Sequence, residues 1–155
     1  MFIKEADLFR GITQRTLAEI GKGSSDESFN PGDVIFREGE DADALYVLVS
    51  GKIDVSIGER ETVDFLVQRP GEIIGWAALV EPHVRTGTAT CVEATKVVKV
   101  PREVMEHTMK KYPEDGFLIM RHLTGILAQR LRNAYRAASE EVDLMTTSAH
   151  APSYG

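Results

Sequence analysis

The sequence predicts a mainly β domain with flanking helices: a jelly-roll or double-stranded β-helix barrel, preceded by N-terminal helices and followed by a long C-terminal helix. Three observations predict it. Between Asp26 and Val100, glycines at 32, 39, 51, 58, 71 and 87 recur at spacings suited to turns between short strands. The runs between them are rich in β-branched and aromatic residues, with no long helical pattern interleaved. After Val100 the apolar period becomes helical. Many short strands with glycine turns belong to an antiparallel barrel or jelly roll.

Lys4 to Phe9 suits a short helix, with Leu8, Phe9 and Ile12 as a small apolar cluster. Thr13 is the expected N-cap of a helix through Gly21 or Lys22; Leu17 and Ile20 form its buried face and Ile12 stands where a hydrophobic staple would. Expected strands are Val34–Phe36, Leu45–Val49, Ile53–Ile57, Val63–Val67, Thr88–Val92 and Lys96–Val100. Ile53, Val55 and Ile57 alternate with Asp54 and Ser56, one face in and one face out. Ile57 to Arg60 is a hairpin-turn candidate. Pro101 suits the first position of a helix through Lys111. Pro113 opens a longer helix, whose apolar positions Phe117, Met120, Leu123, Ile126, Leu127, Leu131, Ala134, Tyr135 and Ala138 follow helical spacing. These elements predict a single domain over residues 1–145, with the barrel at about 26–100, the C-terminal helices at about 101–143 and a flexible tail at 146–155.

At 155 residues the chain can bury one sizeable core. A net charge of −6 argues against nucleic acid as its main partner. A single cysteine, Cys91, excludes an internal disulfide and argues against a thiolate metal site; in a strand it reads as a small buried hydrophobe. No apolar run reaches the length of a membrane span, and MFIKEADLFRG has no signal-peptide core, so a cytoplasmic protein is expected. His83 falls in a loop, His107 and His122 on helices and His150 in the tail, none with a partner at strand spacing. No catalytic constellation, metal site or cofactor is therefore expected. The acidic run Glu38 to Asp43 lacks the ligand pattern of a calcium loop and reads as a solvated turn. Arg121, Arg130, Arg132 and Arg136 read as a solvated helix face.

The most informative stretch is Arg69 to Cys91, RPGEIIGWAALVEPHVRTGTATC. A glycine opening a short helical turn between two strands can aim backbone N–H groups at one point, a common way to hold an anion. An arginine placed just after it can close on a phosphate with its forked donors. On spacing alone, an anion cradle and a plain structural turn both satisfy this pattern. The candidate ligand-binding residues are Gly75, Trp76, Ala77, Ala78, Arg85, Thr86 and Gly87.

GEIIGWAALVEPHVRTGTATCVEA resembles the phosphate-binding cassette of cyclic-nucleotide-binding domains, the ligand domains of the catabolite activator protein, of kinase regulatory subunits and of nucleotide-gated channels. Gly75 matches the family's glycine, Ala78-Leu79-Val80 its small apolar run, and Arg85-Thr86-Gly87-Thr88 its arginine and followers. Phe29 to Val55 also resembles the family's early strands. The resemblance implies the fold, a regulatory role and a nucleotide phosphate at Arg85. One position departs. The family's glutamate, which receives the ribose 2′-hydroxyl, falls on Trp76, and an indole has one donor and no acceptor.

Two function classes follow: a sensory module for a small anion, nucleotide-derived or otherwise, with binding of cyclic AMP and cyclic GMP weakened or lost, or a ligand-free structural or protein-interaction module that kept the fold. A transcription regulator without its DNA-binding domain is a weaker third, and direct DNA binding is not expected of a chain ending at Gly155. The long helix packs its stripe on the barrel or forms a two-helix seam through Leu123, Leu127, Leu131, Ala134 and Ala138. Family resemblance implies the seam, and with it a homodimer.

Overall fold

A computed structural model describes residues 2–148. Among the described residues, eight strands form two four-stranded antiparallel sheets. They are β1 (Ser25–Phe29), β2 (Val34–Phe36), β3 (Ala44–Ser50), β4 (Ile53–Ile57), β5 (Val63–Val67), β6 (Ile73–Ile74), β7 (Thr88–Cys91) and β8 (Thr95–Pro101). One sheet has the order β1-β8-β3-β6 and the other β2-β7-β4-β5. This is the strand order of a jelly roll, as the glycine spacing predicted.

The inner faces of the two sheets share one core: Phe36, Ala44, Tyr46, Leu48, Ile53, Val55, Val67, Ile74, Ala89, Cys91 and Val97. β3 is buried on both faces, which explains its unbroken apolar run. Its outward residues Leu45 and Val47, with Val98 and Val100 of β8, are sealed from solvent. Helices α1 (Gln14–Gly23) and α2 (Arg102–Lys111) lie against β8.

Two strands escaped the sequence pattern. β1 reads SDESF and is held at the sheet edge by backbone pairing to β8, Ser25 opposite Lys99 through Phe29 opposite Thr95. β6 is two residues long, paired to Tyr46 and Val47. The N-terminal segment forms two 3-10 turns, Phe2–Glu5 and Asp7–Phe9, in place of one helix. Pro101 ends β8 and caps α2 from outside.

Helix α3 runs from Pro113 to Ser148, so residues 146–148, expected in a flexible tail, are helical; 149–155 lie outside the described residues. The chain divides into two compact units, 1–123 and 124–155. In the first, Ile119 and Leu123 are buried core residues. Leu123 therefore belongs to its own domain's core and is not available to a partner helix, which corrects the expected seam. Phe117, expected on the buried stripe, is 68% exposed. In the second unit Leu131, Tyr135 and Val142 are all more than half exposed, and Ala134 and Ala138 are exposed too.

Candidate functional site

Gly75 turns the chain out of β6 with a left-handed backbone (φ 81°). A β-carbon there would sit 2.6 Å from Nη1 of Arg85 and 3.1 Å from the Ala44 carbonyl oxygen. Glycine is thus required twice, by the dihedral and by the arginine packed against it. The 3-10 turn Trp76–Leu79 follows. Trp76 is half-buried, while Ala77 and Ala78 are buried in the core. The Ala78 N–H donates to the Gly75 carbonyl at 3.1 Å, so Ala78 closes the turn and is not the free donor expected of it.

Arg85 is 2% exposed. Its Nη1 donates to the Gly75 carbonyl at 3.2 Å, and its Nη2 to the Ala44 carbonyl at 2.8 Å and to Oδ1 of Asp43 at 3.3 Å. The guanidinium carbon lies 4.1 Å from the Phe36 ring centre and 5.9 Å from that of Tyr46. Such stacking offsets part of the cost of burying the charge. Burial pushes the Arg85 pKa down, and Tyr46 and Asp43 partly restore it. The same burial raises the Tyr46 phenol to about 12, with Asp43 adding to the effect. One nitrogen is left over: the buried Nε–H of Arg85 has no hydrogen-bond partner among the described residues.

The acidic run expected to be a solvated turn supplies part of this site. Asp43 pairs with Arg85, although its own side chain is 61% exposed. The Arg85 N–H donates to the Glu40 carbonyl and the Arg85 carbonyl accepts from Gly39. Arg102, opening α2, donates to Oδ1 of Asp41 and to the Ala42 carbonyl, and its backbone N–H donates to the Asp43 carbonyl. Residues 39–43 are thereby stitched to the cassette on one side and to α2 on the other. Nothing local in the sequence links Asp43 to a residue 42 positions later; the antiparallel fold creates that pairing. His83, which the sequence places in a loop, is mostly buried: Nδ1 lies 3.0 Å from the Ala77 carbonyl and Nε2 lies 3.7 Å from Oε1 of Glu106 on α2.

From Arg85 the chain alternates: Arg85, Gly87, Ala89 and Cys91 buried, Thr86 exposed. Thr86 therefore points away from the buried site. A β-carbon on Gly87 would meet Ile57 and Val55 side-chain atoms at 3.1 and 3.3 Å, so Gly87 lies close over the end of β4. Across the sheet, Cys91 pairs with Ile53 and Ile53 with Val67, a sealed row. Ala89, Val55 and Phe65 form the next row, and Ile57 opposite Val63 the last. Exposure along this inner face rises from 0% at Ile53 to 7% at Val55 and 40% at Ile57. Burial along this inner face thus falls toward the β4–β5 hairpin end, where Gly87 packs against Ile57 and Val55.

The family model for the cyclic nucleotide-binding domain matches residues 26–112. The chain belongs to the cyclic nucleotide-binding domain family. A CRP-like cAMP-activated global transcriptional regulator of Mycobacterium tuberculosis is 27% identical over 147 residues, 94% of this chain and 62% of the regulator. The cGMP-dependent protein kinase of Toxoplasma gondii is 34% identical over 108 residues, 70% of this chain and 11% of the kinase. Among solved structures, the Thermus thermophilus catabolite activator protein superposes with a TM-score of 0.68 at 26% identity, covering 91% of this chain and 63% of that one. The chain thus spans less than two thirds of these relatives' lengths. Among the described residues of this cyclic nucleotide-binding domain, no helix is long and apolar enough to cross a membrane, and no cluster of three or more histidine, cysteine, aspartate or glutamate side chains could hold a metal ion.

Proposed function

We propose that this domain is a cytoplasmic sensory module for a small anion, anchored by Arg85 and the backbone around Gly75, with binding of cyclic AMP and cyclic GMP weakened or lost. One observation carries it: a buried guanidinium in the cassette position, with a donor still unpartnered. An orphaned buried donor is costly, and an anion reaching it would remove that cost. Trp76, standing where the resembled family has its ribose-binding glutamate, supports the weakened nucleotide binding. Loss of one hydrogen bond to a charged group weakens binding by about 1.5–3 kcal/mol. The domain acts as a regulatory partner rather than a catalyst.

Calorimetry with both nucleotides tests this. A dissociation constant above about 10 μM is expected, equivalent to about −7 kcal/mol or weaker. Binding at or below about 1 μM contradicts it. Trp76→Glu should gain nucleotide affinity; no gain would mean that the pocket differs in more than that residue.

The same proposal includes a homodimer through α3. Leu131, Tyr135, Ala138 and Val142 step by four, three and four, the spacing of a two-helix seam, and all are exposed. Leu127, half-buried, and Ala134 flank it. Sedimentation at tens of micromolar (roughly, since a short seam dissociates on dilution) should give a dimer, and Leu131→Asp a monomer. A monomeric parent protein rules the seam out.

A second reading has its own observation. Three acceptors already hold Arg85: Asp43 and the carbonyls of Gly75 and Ala44. A ligand-free interaction module would show that arrangement. Failure of every anion tested to bind or to raise the melting temperature would favour it.

A further inference from the structure

The exposed apolar end of the inner sheet face narrows the chemistry of the ligand; this inference rests on the anion-site reading above. We infer that the ligand carries its anionic group, phosphate or carboxylate, on a compact apolar body without sugar hydroxyls.

Arg85 and Gly87 precede β7 (Thr88–Cys91), and Gly87 lies over the inner face of the β2-β7-β4-β5 sheet, where a β-carbon on it would meet Ile57 at 3.1 Å and Val55 at 3.3 Å. Next to them the inner face is Val55 and Phe65, then Ile57 and Val63. Ile57 is 40% exposed and Val63 51%, although both follow the same alternation as sealed Ile53 and Val67. The inner face therefore ends in an exposed apolar ramp, joined to the Arg85 segment through Gly87, which packs on Ile57 two residues after the arginine.

A ribose-bearing ligand needs acceptors and donors for its hydroxyls at this place, or their desolvation is uncompensated. The inner-face positions that the pairing puts on the ramp are aliphatic or aromatic. Trp76, at the start of the cassette turn, accepts no hydrogen bond through its side chain. Glu38, a rim carboxylate, is tied through Oε1 to the Gly58 N–H at 3.0 Å, beside the hairpin tip. An apolar body would cover Ile57 and Val63, whose burial is favourable in proportion to area.

At the head, the ligand's anion takes the unpartnered Nε–H of Arg85 and replaces Asp43 at Nη2. Asp43 is suited to leave: its contact is long at 3.3 Å and its side chain is 61% exposed, so its carboxylate returns to water. The two backbone carbonyls keep the guanidinium oriented meanwhile.

The test is a graded series on the full chain: inorganic phosphate, phenyl phosphate and 2-naphthyl phosphate, with phenol as the uncharged control and cyclic AMP as the sugar-bearing comparison. Calorimetry measures affinity, and the fluorescence of Trp76, the chain's single tryptophan, reports at the cassette itself. Affinity should rise about tenfold for each ring added. Phenol should not bind, and cyclic AMP should bind at least tenfold more weakly than 2-naphthyl phosphate. Val63→Ser and Ile57→Ser, at exposed positions and with folding checked by circular dichroism, should reduce the aryl gain several-fold and leave inorganic phosphate unchanged. Equal affinity across the phosphate series overturns this inference and leaves the anion site standing. Cyclic AMP binding as tightly as 2-naphthyl phosphate also overturns it. No binding by any anion overturns both proposals.

Discussion

Two buried charges in this molecule are handled in opposite ways. Asp115, in the first turn of α3, is 7% exposed. Its Oδ2 accepts from the Thr13 N–H at 3.3 Å, from the Thr13 hydroxyl at 2.6 Å and from the Thr16 hydroxyl. The hydroxyls of Thr13 and then Thr16 hold its carboxyl below the ordinary aspartate range. Thr13 thus caps α1 in position, but its side chain turns to α3 instead of to its own helix. Arg85 has good contacts on its terminal nitrogens, a long ion pair to an exposed partner, and one donor with none. Asp115 is a completed clamp between α1 and α3. Arg85 is an incomplete one, and incompleteness at a buried charge is tolerated where binding completes it.

Substitutions can separate the two. Arg85→Ala is expected to lose about 2–5 kcal/mol of affinity for phosphate-bearing probes, since a desolvated charge pair is removed. Its effect on stability should be smaller than that of Asp115→Ala, because Arg85 has an unpartnered nitrogen and a long ion pair to an exposed partner, whereas Asp115 accepts three hydrogen bonds. Calorimetry and urea unfolding of one sample give both numbers. Unaltered affinity would place the anion site elsewhere, and wholesale unfolding would make Arg85 a structural residue like Asp115.

Asp115→Ala should cost about 2–4 kcal/mol of stability, since hydrogen bonds to a buried charged acceptor are lost together. Probe affinity should not change. A urea midpoint equal to that of the parent would show that the clamp contributes nothing.

The acid limb sharpens the contrast. Asp115 is depressed when folded and ordinary when unfolded, so the unfolded chain binds the proton more readily. Its contribution is fully present above about pH 4 and is lost as pH falls through the folded value. The parent should lose stability steeply below about pH 4, and Asp115→Asn less steeply. Parallel curves would assign the acid limb to other carboxylates. Arg85 stays charged throughout this range and should leave the slope untouched.

The smallest effect belongs to Asp43→Asn. An exposed partner at a long distance contributes about 0–1 kcal/mol, so stability should barely move. If Asp43 competes with the ligand for Nη2, phosphate-probe affinity should rise a few-fold. A fall in affinity would instead make Asp43 a positioning residue for Arg85.

The strands and helices were legible in the sequence because their signals are local. Glycine turns, period-two runs and the switch at Pro101 and Pro113 each lie within a few residues of the element they define. Ile53–Ile57 and Val63–Val67 were read to the residue for this reason. So was the turn at Gly75, which opens a short helical turn. β1 was not legible, since a polar edge strand exists only through the partner it pairs with. Leu123 and Phe117 share one helical pattern, yet one is buried and the other exposed; periodicity gives a stripe, and packing chooses its edge. The tertiary structure alone decided that Asp43, Gly75, Ala44 and Phe36 converge on Arg85. Those contacts span from 10 to 49 residues along the chain, and no local chemistry encodes them. The sequence by itself determined that an arginine would follow a glycine turn; only the closing of two sheets on one another decided that its charge would be buried and held on both terminal nitrogens, with Nε left unpartnered.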